Sequence, residues 1–254
     1  MNNLIFTAAT TSKLKGDLYL RMADVLVDSL RRLGGFAGDI LVFTDDPAWF
    51  RGKGVATHAI AGGIHPLEVR FTADLDCAPY RNILFLDCDI LCVDRIDALF
   101  TAENEVLYVY ENTRLMTSEK FGHYFLTAEE RERHRDEHII NAGTYCVDAA
   151  YYSHFSTTWR SMWERYITHP SLINNPYNDQ SMLNAILRRG QINGRCMGDG
   201  MVEFPFIFRN SAGEGLRSLH GNCKFVHYNS DLTQQYKQGD FEAIKAFYAR
   251  RCDE

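Results

Sequence analysis

The sequence predicts an α/β protein built on a mixed, mostly parallel sheet, doubly wound and flanked by helices. Two observations predict it. Short apolar runs suited to buried strands alternate with helical patterns in the order β-α-β-β-α-β before residue 92. The last of these runs, Asn82 to Leu91, carries paired carboxylates at Asp87 and Asp89. They fall beyond a strand's carboxyl end, where sheets of this kind bind their ligands.

The elements follow in order. Leu4 to Ala8 reads as a first buried strand, followed by the polar turn Thr10-Thr11-Ser12. Leu18, Met22, Val25, Leu26, Ser29 and Leu33 recur at near-helical spacing, and Gly34-Gly35 ends that helix. Asp39 to Thr44 predicts a second strand and residues 55–60 a third. The segment 66–77 predicts a short helix leading into the strand that carries Asp87. Farther on, Thr127-Ala128-Glu129-Glu130 is a capping box opening a polar surface helix through Arg135. Ile139 to Val147 returns to strand character. Residues 149–167 predict an aromatic-rich helix whose Trp159 and Trp163 share a face, best explained as core packing. Asn178-Asp179-Gln180-Ser181 then caps a helix running to about Arg189.

Composition excludes several classes. The 254 residues suit one domain with a full core, and a net charge of −6 argues against non-specific nucleic-acid binding. No segment approaches the roughly 20 apolar residues needed to cross a bilayer. Met1 to Thr7 enters strand character with no signal-peptide pattern. Seven scattered cysteines form no Cys-x-x-Cys pair, so they read as small buried hydrophobes in a reducing, cytoplasmic setting.

Alternation along an extended chain sends Asp87 and Asp89 to one side and Cys88 to the other. Two like charges there repel and lose hydration, so they call for a hard divalent cation. A metal grip suggests a phosphate-bearing substrate.

Taken in order, Asp87-Cys88-Asp89, Asn141-Ala142-Gly143, Asp179-Gln180 and His227-Tyr228 resemble the motifs of the GT-A nucleotide-sugar glycosyltransferases, above all family 8. That family includes glycogenin and the bacterial lipopolysaccharide galactosyl- and glucosyltransferases. The resemblance runs from the first strand to about residue 230 and implies a Rossmann-like GT-A domain. It implies a donor-binding half at about 1–110, an acceptor and catalytic half at about 111–230, and a helical tail at 231–254. It further implies that Asp87, Asp89 and His227 hold Mn²⁺ or Mg²⁺, the imidazole nitrogen favouring Mn²⁺. Arg70, Asp87, Asn141 and Gly143 would contact the donor, together with Thr7, Ala8 and Thr10 beside the base. Asp179 would hydrogen-bond the donor sugar, and Gln180 would stabilise a cationic transition state, with retention of anomeric configuration. The donor implied is a UDP-sugar; the acceptor is a glycan, a lipid-linked glycan or a protein.

Blander readings stand beside these. Arg70 suits a salt bridge to Glu68 or Asp74, His227 an ordinary hydrogen bond, Asn141-Ala142-Gly143 a turn, and Asp179 a helix N-cap. The family's acidic or amide base readers are replaced by Thr7-Ala8-Ala9-Thr10-Thr11, and its phosphate-contacting lysine is missing at the usual spacing. Lys13, Lys15 and Lys237 are the substitutes. Asp87-Cys88-Asp89 with Gly198-Asp199-Gly200 also suggests a haloacid-dehalogenase-type phosphatase, against which Leu91 stands where Thr or Val is usual. A non-catalytic nucleotide-sugar sensor is the remaining alternative. In the tail, Phe241, Ile244, Phe247 and Tyr248 form an apolar stripe that docks either on a membrane surface or on the body of the protein.

Overall fold

The computed structural model describes residues 2–11, 16–60, 66–115, 125–167, 178–203, 219, 221–228 and 234–253. Its strands are β1 (Asn2–Ala8), β2 (Asp39–Thr44), β3 (Ala56–Ala59), β4 (Tyr80–Leu86), β5 (Ile90–Cys92), β6 (Val106–Leu115), β7 (His138–Asp148), β8 (Gly194–Cys196), β9 (Val202–Glu203) and β10 (Phe225–His227). Its helices are α1 (Leu18–Arg32), α2 (Val69–Thr72), α3 (Ala128–Arg133), α4 (Tyr152–Ile167), α5 (Asn178–Arg188) and α6 (Gln234–Asp253).

Seven strands form one sheet in the order β3-β2-β1-β4-β7-β6-β8. β3, β2, β1 and β4 run parallel, β7 is antiparallel to β4 and β6, and β8 runs with β6. The chain moves outward from β1 through β2 to β3, then returns to place β4 on the other side of β1. That reversal is the switch point at which doubly wound sheets open a crevice. A small second sheet, β5-β10-β9, stands beyond the end of β4.

Both faces of the large sheet are covered, which is why β1 and β4 read as continuous apolar runs. α1 covers one face, burying Leu20, Ala23, Leu26 and Leu30 against Ile5, Leu84 and Leu86. It stops where expected: Gly34 and Phe36 donate to the carbonyls of Ser29 and Leu30, and Gly35 takes a positive φ of 62°. Ser29 is fully buried, and its hydroxyl receives the backbone N–H of Cys92, fixing α1 to β5. On the other face α2 and α4 pack Phe71 against Trp159 and Trp163, ring centroids 5.2 and 5.1 Å apart. Trp159 is wholly buried, so the tryptophan pair belongs to the core.

Two expectations change, and the open alternative for the C-terminal stripe falls to packing on the body of the protein. The helix expected over 66–77 ends at Thr72, because Ala73 turns to extended geometry and the Asp76 carboxylate takes the N–H of Ala78 in a local turn. The single strand expected over Asn82 to Leu91 is two strands, β4 and β5, separated by a turn at Cys88-Asp89. The described part of the C-terminal stripe does not face a membrane. Ile244, Phe247 and Tyr248 are buried against Leu18, Met22, Leu91 and Val93, and the Tyr248 hydroxyl donates to Asp28 at 2.5 Å. Phe241 lies outside the residues whose side chains are described. No described helix is long and apolar enough to cross a membrane. None of the seven cysteines forms a disulfide, and burial pushes the Cys92 thiol up to about 12.

The capping box at α3 is complete: Thr127 receives the Glu130 N–H, and the Glu130 carboxylate receives that of Thr127. The Arg189 guanidinium, and after it the Thr127 N–H, holds the Glu130 carboxyl down at about 2. A depressed folded-state value contributes stability above the ordinary carboxylate range and loses it as pH falls toward about 2. Melting temperatures of the wild type and Glu130→Gln are therefore expected to differ at neutral pH. They should converge between pH about 4.5 and about 2.

Candidate metal centre

The chain leaves the large sheet at Leu86 and joins the small one at Ile90, and the turn between them carries both aspartates. Asp87 extends the β4–β7 ladder by one bond, its N–H donating to Gly143 O at 2.9 Å. β10 then pairs antiparallel with β5, setting His227 opposite Ile90, and the Tyr228 N–H binds Asp89 O at 3.1 Å. This register carries the imidazole across the whole separation in sequence. His227 Nε2 lies 3.2 Å from Asp89 Oδ1 and 3.7 Å from Asp87 Oδ2. One ligand atom from each of the three falls within 4.8 Å of the others.

Arg70 completes the centre from the α2 side. Its Nη2 binds both Asp87 oxygens, at 2.6 and 2.7 Å, and its Nη1 pairs with Asp179. The Tyr145 hydroxyl donates to Arg70 O at 2.5 Å, and the guanidinium lies 5.5 Å from the Phe85 ring centroid. The partners are thus Asp87 and Asp179, neither of the two carboxylates adjacent in sequence. Asp179 sits in the first turn of α5 and meets Arg70 through one carboxylate oxygen, Oδ2.

Asn141-Ala142-Gly143 is not a turn but part of a bulge within β7. The β6 register jumps from Tyr108↔Tyr145 to Val109↔Asn141, so the residues between bow out toward Asp87. The Asn141 side-chain oxygen accepts from the Gly143 N–H at 2.8 Å. A Cβ on Gly143 would stand 2.5 Å from Asp87 Oδ2 and 2.7 Å from His227 Cε1, so only glycine fits. Gln180 is buried, its amide nitrogen donating to Glu111 at 3.2 Å. Glu111 was not foreseen, although a lone carboxylate ending the run Val106-Leu107-Tyr108-Val109-Tyr110 was a signal that could have found it.

The residues present fit a divalent cation. Asp87, Asp89, Asp179 and Glu111 bring four carboxylates into a largely buried site, three of them under 10% exposed, against one guanidinium and one imidazole. Burial disfavours the His227 imidazolium, yet Asp89, then Asp87 and Glu111, outweigh it and raise its basicity. A donor set of two carboxylates and an imidazole suits Mn²⁺, and Mg²⁺ somewhat less. Gly143→Ala is expected to weaken Mn²⁺ binding roughly 10- to 100-fold. Titration calorimetry measures this; unaltered affinity would mean that the glycine is not needed for space.

The other expected residues fall as follows. Thr7 is fully buried, whereas Ala8, the last residue of β1, and Thr10, past its end, are partly exposed. Lys13 and Lys15 lie outside the described residues, and Lys237 falls within α6. Asp199, the later acidic residue of the phosphatase alternative, is not part of the Asp87-Asp89-His227 group. No model of a known protein family matches the chain, and no curated protein does.

Proposed function

We propose that the chain is a metal-dependent glycosyltransferase. It moves a hexose from a nucleotide-diphosphate sugar, a UDP-sugar on the resemblance, to a hydroxyl acceptor with retention of configuration. The observation that carries this reading is the meeting of Asp87, Asp89 and His227 at the carboxyl end of the switch-point strand, with Arg70 alongside.

A divalent cation held by those three residues would supply Lewis-acid neutralisation of the charge that builds on a departing diphosphate. The remaining roles belong to the chain. Arg70 offers a fixed, planar positive charge for phosphate oxygens. Asp179 accepts from sugar hydroxyls and Asn141 reads them with its amide, while Gly143, lacking a side chain, leaves room for Asp87 and His227 to close on the ion site. Gln180 has no charge with which to act as a strong nucleophile, so its amide dipole stabilises the cationic sugar carbon instead. The acceptor oxygen then bonds to that carbon from the side the diphosphate leaves, and its proton passes to the departing phosphate oxygen.

The test is a panel of nucleotide sugars with Mn²⁺, monitored for released nucleoside diphosphate. Metal-dependent hydrolysis of one donor, accelerated by a sugar acceptor, supports the proposal. Turnover of an aryl phosphate with no donor hydrolysed would replace it with the phosphatase reading, and donor binding without hydrolysis with the sensor reading.

A further inference from the structure

The carboxamide of Gln180 has two nearly isosteric ends of opposite polarity, and its neighbours decide which end faces the site. One neighbour decides it outright. Glu111, at 4% exposed, stands on β6 with Oε2 3.2 Å from Gln180 Nε2. A carboxylate oxygen accepts, so it takes the NH₂ end and turns the carbonyl end away. That carbonyl oxygen, Gln180 Oε1, lies toward the β7 bulge, 3.4 Å from both Asn141 Nδ2 and the Ala142 N–H. Both contacts are long, hence weak, so the oxygen keeps capacity for a further partner. The same bulge brings Gly143 against Asp87 and His227, so the carbonyl end and the metal centre share one wall.

We propose that Glu111 is a positioning residue: it locks Gln180 so that the amide oxygen, and not the NH₂ group, confronts the reacting sugar. The catalytic consequence rests on the glycosyltransferase reading given above. A flipped amide would present its positive end to a carbon that becomes positive in the transition state, reversing the sign of the interaction. Glu111 also polarises the amide through the N–H bond, increasing the negative charge on Oε1. Neither effect requires Glu111 to touch the donor. The residue therefore acts on turnover more than on binding of the nucleotide sugar.

The test has two arms. In full-length protein labelled with ¹⁵N-glutamine, the Gln180 side-chain amide is assigned by its loss in Gln180→Glu. The inference predicts a downfield, slowly exchanging amide proton that reverts toward the values of a solvent-exposed glutamine in Glu111→Gln and only partly in Glu111→Asp. In the kinetic arm, Glu111→Gln is expected to lower kcat roughly 10- to 100-fold with donor KM changed less than about twofold, as a misdirected group would. The same substitution placed in a Gln180→Ala background should cost nothing further, because the residue it acts through is gone. Thermal melts confirm that each variant folds.

An amide signal that is ordinary in the wild type, or that survives Glu111→Gln, overturns the proposal. So do kinetic penalties that multiply in the double variant. Should the wild type turn over no nucleotide sugar, the glycosyltransferase reading falls and the catalytic consequence with it. The amide signature still decides whether Glu111 orients Gln180.

Discussion

Asp89→Ala is expected to abolish Mn²⁺-dependent donor hydrolysis, with a loss on the order of a thousandfold or more. Asp89 is 7% exposed and its Oδ1 lies 3.2 Å from the imidazole, so it is both a proposed ligand and a close partner of His227. Removing it leaves one carboxylate, already bound by Arg70, and one imidazole. Such a pair holds a hard cation poorly, because the charge that selects it has been halved. His227→Ala should show the same loss. Asp94→Ala is the control: Asp94 is an aspartate on the same segment, but its carboxylate pairs with Lys224, away from the triad. Calorimetry with Mn²⁺, followed by donor hydrolysis, reads both steps. Full activity in Asp89→Ala would remove the metal centre from the mechanism.

Arg70→Met is expected to destabilise the cation-free protein by about 3–5 kcal/mol, the cost of breaking a buried ion pair by removing one partner. The guanidinium is the positive charge bound to both Asp87 and Asp179, and its own residue is 7% exposed. Methionine keeps an apolar side chain of comparable length beside Phe85 but leaves two carboxylates without that partner. In a chain of this size the loss corresponds to a fall of roughly 6–20 °C in Tm. Mn²⁺ should restore more of that deficit in the variant than it adds to the wild type, since it answers the charge on Asp87. A melting temperature equal to the wild type without metal would show that the bridge carries no net stability.

Much of this was legible in the sequence because it is local. The strand at Asp39–Thr44, the α1 helix with its two-glycine stop, and the capping box at Thr127 each depend on residues within a few positions of one another. The aspartate pair was legible for the same reason. The break at Cys88-Asp89 was not, since Ile90-Leu91-Cys92 continues the apolar pattern and neither glycine nor proline marks the turn. What ends β4 is the arrival of β10, far along the chain, as partner for β5. Non-local causes likewise hid the Arg70–Asp179 pair and the β7 bulge, whose register is set by β4 and β6 together. Glu111 was hidden by the ordinariness of a single glutamate at a strand end.

The three metal-seeking side chains do not stand on one sheet. Asp87 ends the broad β-layer, whereas His227 rides on the narrow three-stranded leaf, which α6 and α1 brace from behind through Ile244, Val226 and Leu18. An ion seated between them would act as a rivet across a seam. Swaying of the leaf would stretch the cage, and seating the ion would damp that sway. Binding tightness would therefore depend on how firmly the final helix is clasped, through residues that never approach the chemistry.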